Sequence, residues 1–115
     1  LSSTMEAAKR TFKLALIQME VQRNKSKNVQ KAKEMITKAA TSGANVIVLP
    51  EMFICNYDRQ SFEENAEPIL SYKEDEEATA TRMLSEAAKE HGVYIIGGSI
   101  PEKREDGSVY NTSSC

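Results

Sequence analysis

The sequence predicts an α/β fold in which helices pack against a mainly parallel sheet. Short apolar runs at Phe12–Met19, Asn45–Leu49 and Val93–Ile96 indicate strands. Because the first run is apolar on both faces, we expect both faces of that strand to be covered. The segments between the runs carry apolar residues at helical spacing. A strand, a helix and a second strand in succession imply parallel strands joined by a right-handed crossover.

Two long helices are predicted, each followed by a glycine. The first spans Ser26–Ser42 and the second spans Ala78–His91. Gly43 and Gly92 directly follow them and can adopt the left-handed conformation that ends a helix. The only histidine, His91, would then sit at the negative end of the helix dipole, which is a structural role.

Shorter elements are expected around these helices. Ser61 begins a capping-box pattern, so a short helix is predicted to start there. The Asp106-Gly107 pair is a turn signal between Ser99–Lys103 and Ser108–Cys115, which predicts an antiparallel hairpin. Since the last strand runs to Cys115 without a cap, we expect the chain to be the first part of a larger domain.

Composition excludes several classes of protein. The chain has 115 residues, 28% of them charged, and a net charge of -2, which fits one small globular domain and no nucleic-acid footprint. No apolar run approaches the roughly 18 residues of a membrane span. Leu1–Arg10 lacks the apolar core of a signal peptide. Two cysteines suit neither a disulfide framework nor a zinc site, so we expect a cytoplasmic protein, with a mitochondrial location left open.

Glu51 is the first candidate for a catalytic residue. It follows Pro50 at the end of the apolar run Val46–Leu49, and open α/β sheets place their active sites at the carboxyl ends of strands. Desolvation at an apolar strand end would favour the protonated form, so that the side chain could exchange a proton near neutral pH. The alternative is a structural glutamate in a loop or salt bridge.

Several segments together resemble one family. They are FKLALIQM (Phe12–Met19), VIVLPEMF (Val46–Phe53), YIIGGSIPE (Tyr94–Glu102) and VYNTSSC (Val109–Cys115). In this order they resemble the nitrilase superfamily of carbon–nitrogen hydrolases, and most closely its omega-amidase branch. A tyrosine at position 57, followed by an acidic and aromatic segment, strengthens the likeness to that branch.

The resemblance implies a fold and an assembly. The expected fold is the N-terminal part of an αββα sandwich, formed by residues 12–115. Residues 1–11 are a tail, in which Met5 could be the native start. Members of the family commonly form homodimers by packing helix to helix.

The resemblance also implies a catalytic set of glutamate, lysine and cysteine, which needs no metal or organic cofactor. Only the glutamate falls on a residue of this chain, Glu51. In the family the cysteine thiolate attacks an amide or nitrile carbon, the glutamate exchanges protons and the lysine stabilises the oxyanion. Tyr57 would bind a substrate carboxylate, although a surface tyrosine is an equal alternative. Phe53 is expected to serve packing.

We expect the other candidate functional residues to have structural roles. Cys115 is expected to be a small buried strand residue. Cys55 is expected to line the pocket, because no cation is obviously poised to lower the pKa of its thiol. Gly97-Gly98 lacks a phosphate-loop pattern and indicates a bend or a close backbone approach. The charged run Glu74–Glu77 has no cation-site spacing and is expected to be solvated.

The resulting hypothesis is an amidase that hydrolyses a small amide, such as 2-oxoglutaramate or 2-oxosuccinamate, to a carboxylate and ammonia. An N-carbamoyl amine hydrolase or a nitrilase of the same superfamily is the nearest alternative. A different alternative is a non-catalytic, truncated module that binds or dimerises. A small nucleotide binder is disfavoured, since no glycine fingerprint follows the first strand.

Overall fold

The computed structural model describes residues 9–115, and these form an α/β fold as predicted. The proposed tail, with the candidate start Met5, lies mostly outside the described residues. The elements in chain order are β1 (Leu14–Leu16), α1 (Lys25–Thr41), β2 (Val46–Val48), α2 (Arg59–Asn65), α3 (Thr79–His91), β3 (Tyr94–Ile96), β4 (Ile100–Lys103) and β5 (Val109–Thr112).

The first three strands form one parallel sheet in the order β1-β2-β3. Ile47, in the central strand, pairs with Ala15 on one side and Ile95 on the other. The remaining strands, β4 and β5, form a separate antiparallel hairpin. Both the parallel crossover and the closing hairpin are therefore confirmed.

The core lies between this sheet and the two long helices. Ala32 and Ile36 on α1 are fully buried, as is Ile47 in the sheet, and α3 contributes Leu84 and Ala87. These side chains fall on the helical stripes that the sequence predicts. Burial of a side chain the size of Ile36 stabilises the folded state by about 1.5–3 kcal/mol. The helices are therefore held mainly by packing of their apolar side chains against the sheet.

The prediction that both faces of the first strand are covered is wrong for the described residues. Leu14 and Leu16 are 54% and 74% exposed, and Tyr94 on β3 is 72% exposed. Successive strand residues point to opposite faces, and α1 and α3 cover only one of them. The first strand is also shorter than predicted, because ladder pairing covers only Leu14–Leu16.

Helix α2 begins earlier than the capping-box pattern predicts. Its N-cap is Asp58, whose Oδ1 accepts the backbone N–H of Ser61 at 2.8 Å. Ser61 is thus the third helical residue rather than the start, and its hydroxyl donates to the same carboxylate. The prediction that glycines end the two long helices is confirmed, since Gly43 and Gly92 follow α1 and α3 with φ of 93° and 61°.

A buried glutamate ties the hairpin to both long helices. The Glu67 carboxylate is fully buried and accepts the Nζ of Lys25 at 2.8 Å. It also accepts the backbone N–H of Ala80 and both the N–H and hydroxyl of Thr81, at the start of α3. The backbone N–H of Glu67 donates to the carbonyl of Pro101 on β4. This network fixes the position of the hairpin against the helical layer.

Candidate active site

Glu51 lies on a tight turn that directly follows β2. The strand pairing continues through Leu49, whose N–H donates to the carbonyl of Ile96 at 3.0 Å. Met52, the residue after Glu51, adopts a φ of 52°, which is uncommon for a residue other than glycine. The Met52 N–H donates to the Ser99 hydroxyl at 3.0 Å, and both residues are buried. The turn that presents Glu51 is therefore anchored to the segment after β3.

The same segment approaches the turn through Gly98. Its φ is 57°, and a Cβ built there would lie 2.0 Å from the carbonyl oxygen of Pro50. Gly97 is also constrained, since its N–H donates to the carbonyl of Ser114 at 2.8 Å. The expected close backbone approach at Gly97-Gly98 is confirmed. It joins the two loops that border the cleft beside Glu51.

The carboxylate of Glu51 accepts two hydrogen bonds on one oxygen. Its Oε1 accepts the Nδ2 of Asn111 at 2.8 Å and the hydroxyl of Tyr57 at 3.2 Å. The structure thus brings together Glu51 and Tyr57, the two residues that the sequence nominates for the site. The sequence did not predict that Asn111 belongs to this site. The only feature that could have indicated it was its position on the second strand of the expected hairpin.

The expected desolvation of Glu51 is absent from the described residues. The side chain is exposed and borders an open cleft of about 350 Å³, with Gly98, Ser99, Asn111 and Ser113 as the other lining residues. Ile47 of β2 is buried in the core, whereas Glu51, on the turn after this strand, is exposed. Neighbouring hydrogen-bond donors, rather than burial, constitute the environment of this carboxylate.

Tyr57 is exposed but held in place. Its ring lies edge-on to that of Phe62, with centroids 5.1 Å apart and planes at 89°. The side chain is 69% exposed. The hydrogen bond to Glu51, and secondly the negative charge of Glu51, raise the pKa of the Tyr57 hydroxyl, because both oppose ionisation of the phenol. Tyr57 is thus a donor at this site, as substrate binding would require.

Cys55 does not line the cleft, so that prediction is wrong. It is 1% exposed and belongs to the core together with Phe53, whose packing role is confirmed. Burial, and then the nearby charge of Asp58, raise the pKa of the Cys55 thiol to about 11, while Lys25 acts weakly in the opposite direction. A thiol of that pKa is almost entirely protonated near neutral pH, which disfavours a nucleophilic role.

Cys115 is exposed and lies beyond β5, so the prediction of a buried strand residue is wrong. It borders a second, apolar cavity of about 430 Å³, next to Leu84 and Tyr94. His91 ends α3 as predicted, with its Nε2 3.4 Å from the hydroxyl of Thr37 on α1. These residues lie outside the cleft that Glu51 borders.

Residues 9–115 contain neither a candidate metal cluster nor a helix that could span a membrane. No group of three or more His, Cys, Asp or Glu side chains in that range could hold a metal ion, and the run Glu74–Glu77 forms turns. None of the helices described combines the length and the apolar character needed to cross a membrane.

Comparisons with known proteins give a consistent result. The family model for carbon-nitrogen hydrolases matches residues 13–115. The chain is 44% identical over 104 residues to omega-amidase NIT2 of Mus musculus, covering 90% of this chain and 35% of that protein. It is 45% identical to omega-amidase NIT2 of Homo sapiens, covering 89% of this chain and 34% of that protein. The chain therefore spans about a third of the length of these curated relatives.

Solved structures agree with the sequence comparisons. Saccharomyces cerevisiae Nit3, described as a member of branch 10 of the nitrilase superfamily, superposes with a TM-score of 0.75 at 29% identity, covering 89% of this chain and 38% of that one. The C. elegans NitFhit protein shares the fold, with a TM-score of 0.63 at 20% identity over 86% of this chain and 27% of that one. The α/β architecture, the family match over residues 13–115 and these relatives establish that the chain belongs to the carbon–nitrogen hydrolase family of the nitrilase superfamily.

Proposed function

We propose that this chain is the N-terminal portion of an amidase in which Glu51 exchanges protons with the reacting groups. The observation that carries the proposal is the convergence of Tyr57 and Asn111 on the Glu51 carboxylate beside an open cleft. An exposed carboxylate whose described donors all bind one oxygen can accept and return a proton on the other. The likeness to omega-amidases supplies the reaction class.

The proposed reaction follows the catalytic set of the family. A cysteine thiol outside this sequence loses its proton to Glu51 and attacks the amide carbon. The carbon–nitrogen bond then breaks, and Glu51 gives its proton to the departing ammonia. In the second half, Glu51 takes a proton from water, whose oxygen attacks the thioester carbon, and returns it to the cysteine sulfur. A lysine, also outside this sequence, stabilises the oxyanion in both halves.

The proposed substrate is a small amide with a carboxylate at its other end, such as 2-oxoglutaramate. The position of Tyr57 supports this choice, because this exposed residue donates a hydrogen bond from its hydroxyl to Glu51. A substrate carboxylate could replace Glu51 as the acceptor of that hydroxyl. N-carbamoyl amines and nitriles remain the alternative substrates within the family, and neither requires a carboxylate partner at this position.

We also propose a homodimer assembled by helix-to-helix packing, as the family resemblance implies, and a cytoplasmic location. Light scattering of the full-length protein tests the first proposal. A mass of one subunit at assay concentration would contradict it.

Substrate class is tested with the full-length protein that contains this sequence. Initial rates are measured with 2-oxoglutaramate, an N-carbamoyl amine and a nitrile, by release of ammonia and by loss of substrate. We expect kcat/KM for 2-oxoglutaramate to exceed the other two by at least roughly 100-fold, the discrimination that about 3 kcal/mol provides. A preference for either of the others would identify that alternative. A folded protein that hydrolyses none of them would support the non-catalytic module.

A further inference from the structure

The two oxygens of the Glu51 carboxylate have different surroundings. Oε1 accepts the Nδ2 of Asn111 at 2.8 Å and the hydroxyl of Tyr57 at 3.2 Å. No donor from residues 9–115 forms a hydrogen bond with Oε2. The carboxylate is therefore asymmetric: protein donors occupy Oε1, and Oε2 has no donor from the described residues.

Asn111 is suited to hold Oε1 because its backbone is fixed. It lies in the middle of β5, where it pairs with Pro101 on β4. The carbonyl of Pro101 accepts the N–H of Glu67, which the two long helices anchor in turn. On the other side of the strand, the hydroxyl of Thr112 donates to Glu102 at 2.8 Å, and that carboxylate is buried. Asn111 therefore reaches Glu51 from a strand that is held by its pairing with β4 and by the Thr112–Glu102 hydrogen bond.

The chemistry of the amide determines which oxygen can carry the proton. An asparagine Nδ2 is a donor only, and a carboxylate is an acceptor, so the orientation of the Asn111 amide follows from its partner. The Nδ2 of Asn111 donates to Oε1 at 2.8 Å, and this contact remains when the Tyr57 hydroxyl turns to a substrate. A proton on Oε2 displaces no hydrogen bond from the described residues. The proton is thus directed to Oε2.

We propose that Asn111 is a positioning residue that holds Oε1 of Glu51, so that Oε2 is the oxygen that exchanges the proton during catalysis. This proposal rests on the proposed function of Glu51. Asn111 does not itself contact the reacting atoms. It fixes the direction of Oε2 by holding the other oxygen of the same carboxylate.

The alternative is that Asn111 only stabilises the hairpin. A structural role would affect thermal stability and the amount of active enzyme. A positioning role would lower kcat with little change in KM in a protein that keeps its thermal midpoint. Measuring kcat, KM and the thermal midpoint together therefore distinguishes the two roles.

The test uses the full-length protein with Asn111→Asp, Asn111→Ala and the control Val109→Ala, which alters the same strand. We expect kcat of the Asn111 variants to fall by roughly 10- to 100-fold, as the loss of one hydrogen bond to a charged group predicts. KM of the Asn111 variants should stay close to the wild-type value. Val109→Ala should retain both the wild-type kcat and the wild-type KM.

If folded Asn111 variants keep the wild-type kcat, the positioning role is overturned. An active wild-type enzyme and an inactive Glu51→Gln variant would still support the proposed function in that case. An inactive wild-type enzyme, or an active Glu51→Gln variant, would overturn both. If the Asn111 variants do not fold, NMR of the wild-type protein decides. The Asn111 side-chain amide resonances should shift when Glu51→Gln replaces their acceptor, and unchanged resonances would overturn the proposal.

Discussion

The carbonyl oxygen of Pro50 occupies the space that any side chain at position 98 would need, because a Cβ on Gly98 would lie 2.0 Å from it. Pro50 immediately precedes Glu51, and Gly98 immediately precedes Ser99, whose hydroxyl accepts the Met52 N–H. The two loops are thus joined by one backbone contact and one hydrogen bond. The orientation of Glu51 depends on both.

Gly98→Ala is expected to separate these loops. Its φ of 57° already costs an L-residue about 1–2 kcal/mol, and the contact with Pro50 is made to backbone, which cannot rotate away. Gly92→Ala is the matched control, because Gly92 has a φ of 61° and no atom within 4 Å of its Cβ position. Urea unfolding should show a larger loss of stability for Gly98→Ala than for Gly92→Ala. Equal losses would mean that the Pro50 contact relaxes freely.

The pKa of Tyr57 should report on the charge of Glu51. In the wild-type protein the hydrogen bond and then the charge of Glu51 raise that pKa above its ordinary value. Glu51→Gln removes the charge and leaves an acceptor, so the pKa should fall toward that of a free tyrosine. Titration of the tyrosine Cζ resonances by NMR measures it, and the signal that disappears in Tyr57→Phe identifies Tyr57. A pKa that does not fall would place the hydroxyl away from Glu51 in solution.

Glu67 should matter for stability far more than an exposed glutamate. Glu67→Gln leaves the Lys25 ammonium, only 21% exposed, without its counter-charge, and breaking such a pair costs about 3 kcal/mol. The control is Glu63→Gln, which removes the charge paired with Arg59. The Glu63 and Arg59 side chains are 59% and 92% exposed, so this change should lower the free energy of unfolding by no more than about 0.5 kcal/mol. Urea unfolding of the two variants compares them. Similar losses would show that the Lys25–Glu67 pair is solvated.

Cys55 should resist alkylation in the folded protein. With a thiol pKa of about 11, about one molecule in a thousand carries the reactive thiolate near pH 8. Burial in the core further limits access of the reagent. Mass spectrometry after brief treatment with iodoacetamide should find Cys55 unmodified until denaturant is added. Rapid modification at Cys55 without denaturant would contradict its burial.

The same thiol makes stability depend on pH. Its pKa is higher in the folded protein than the ordinary value of 9.0, so the folded state retains the proton more strongly. The resulting stabilisation is present below pH 9 and is lost as pH rises toward 11. Over this interval, the free energy of unfolding should decline less in Cys55→Ala than in the wild-type protein. An equal decline would contradict the raised pKa.

Local sequence signals predicted the helices and strands well. Glycines after α1 and α3 fixed two helix ends, and the alternation of apolar runs with helical stripes indicated the parallel sheet. The start of α2 was wrong because two residues with capping ability lie three positions apart, and tertiary context selected Asp58 over Ser61.

Relationships between distant residues were harder to predict. Glu51 and Asn111 are 60 positions apart, and their contact depends on the register of the hairpin and on how Glu67 anchors it. Sequence spacing carries no signal for that register. The exposure of Leu14 and Leu16 was missed for a related reason, since an apolar strand does not reveal which of its faces the described helices cover.

The most direct test of the account is kcat/KM of the full-length protein on 2-oxoglutaramate, compared between wild type and Glu51→Gln. Glutamine keeps an oxygen that can accept from Tyr57 and Asn111, and position 51 is exposed, so the fold and its thermal midpoint should not change. We expect activity to fall by at least roughly 100-fold, as loss of a general acid–base group predicts. A folded Glu51→Gln protein with wild-type activity would contradict the assignment of Glu51 as the catalytic residue.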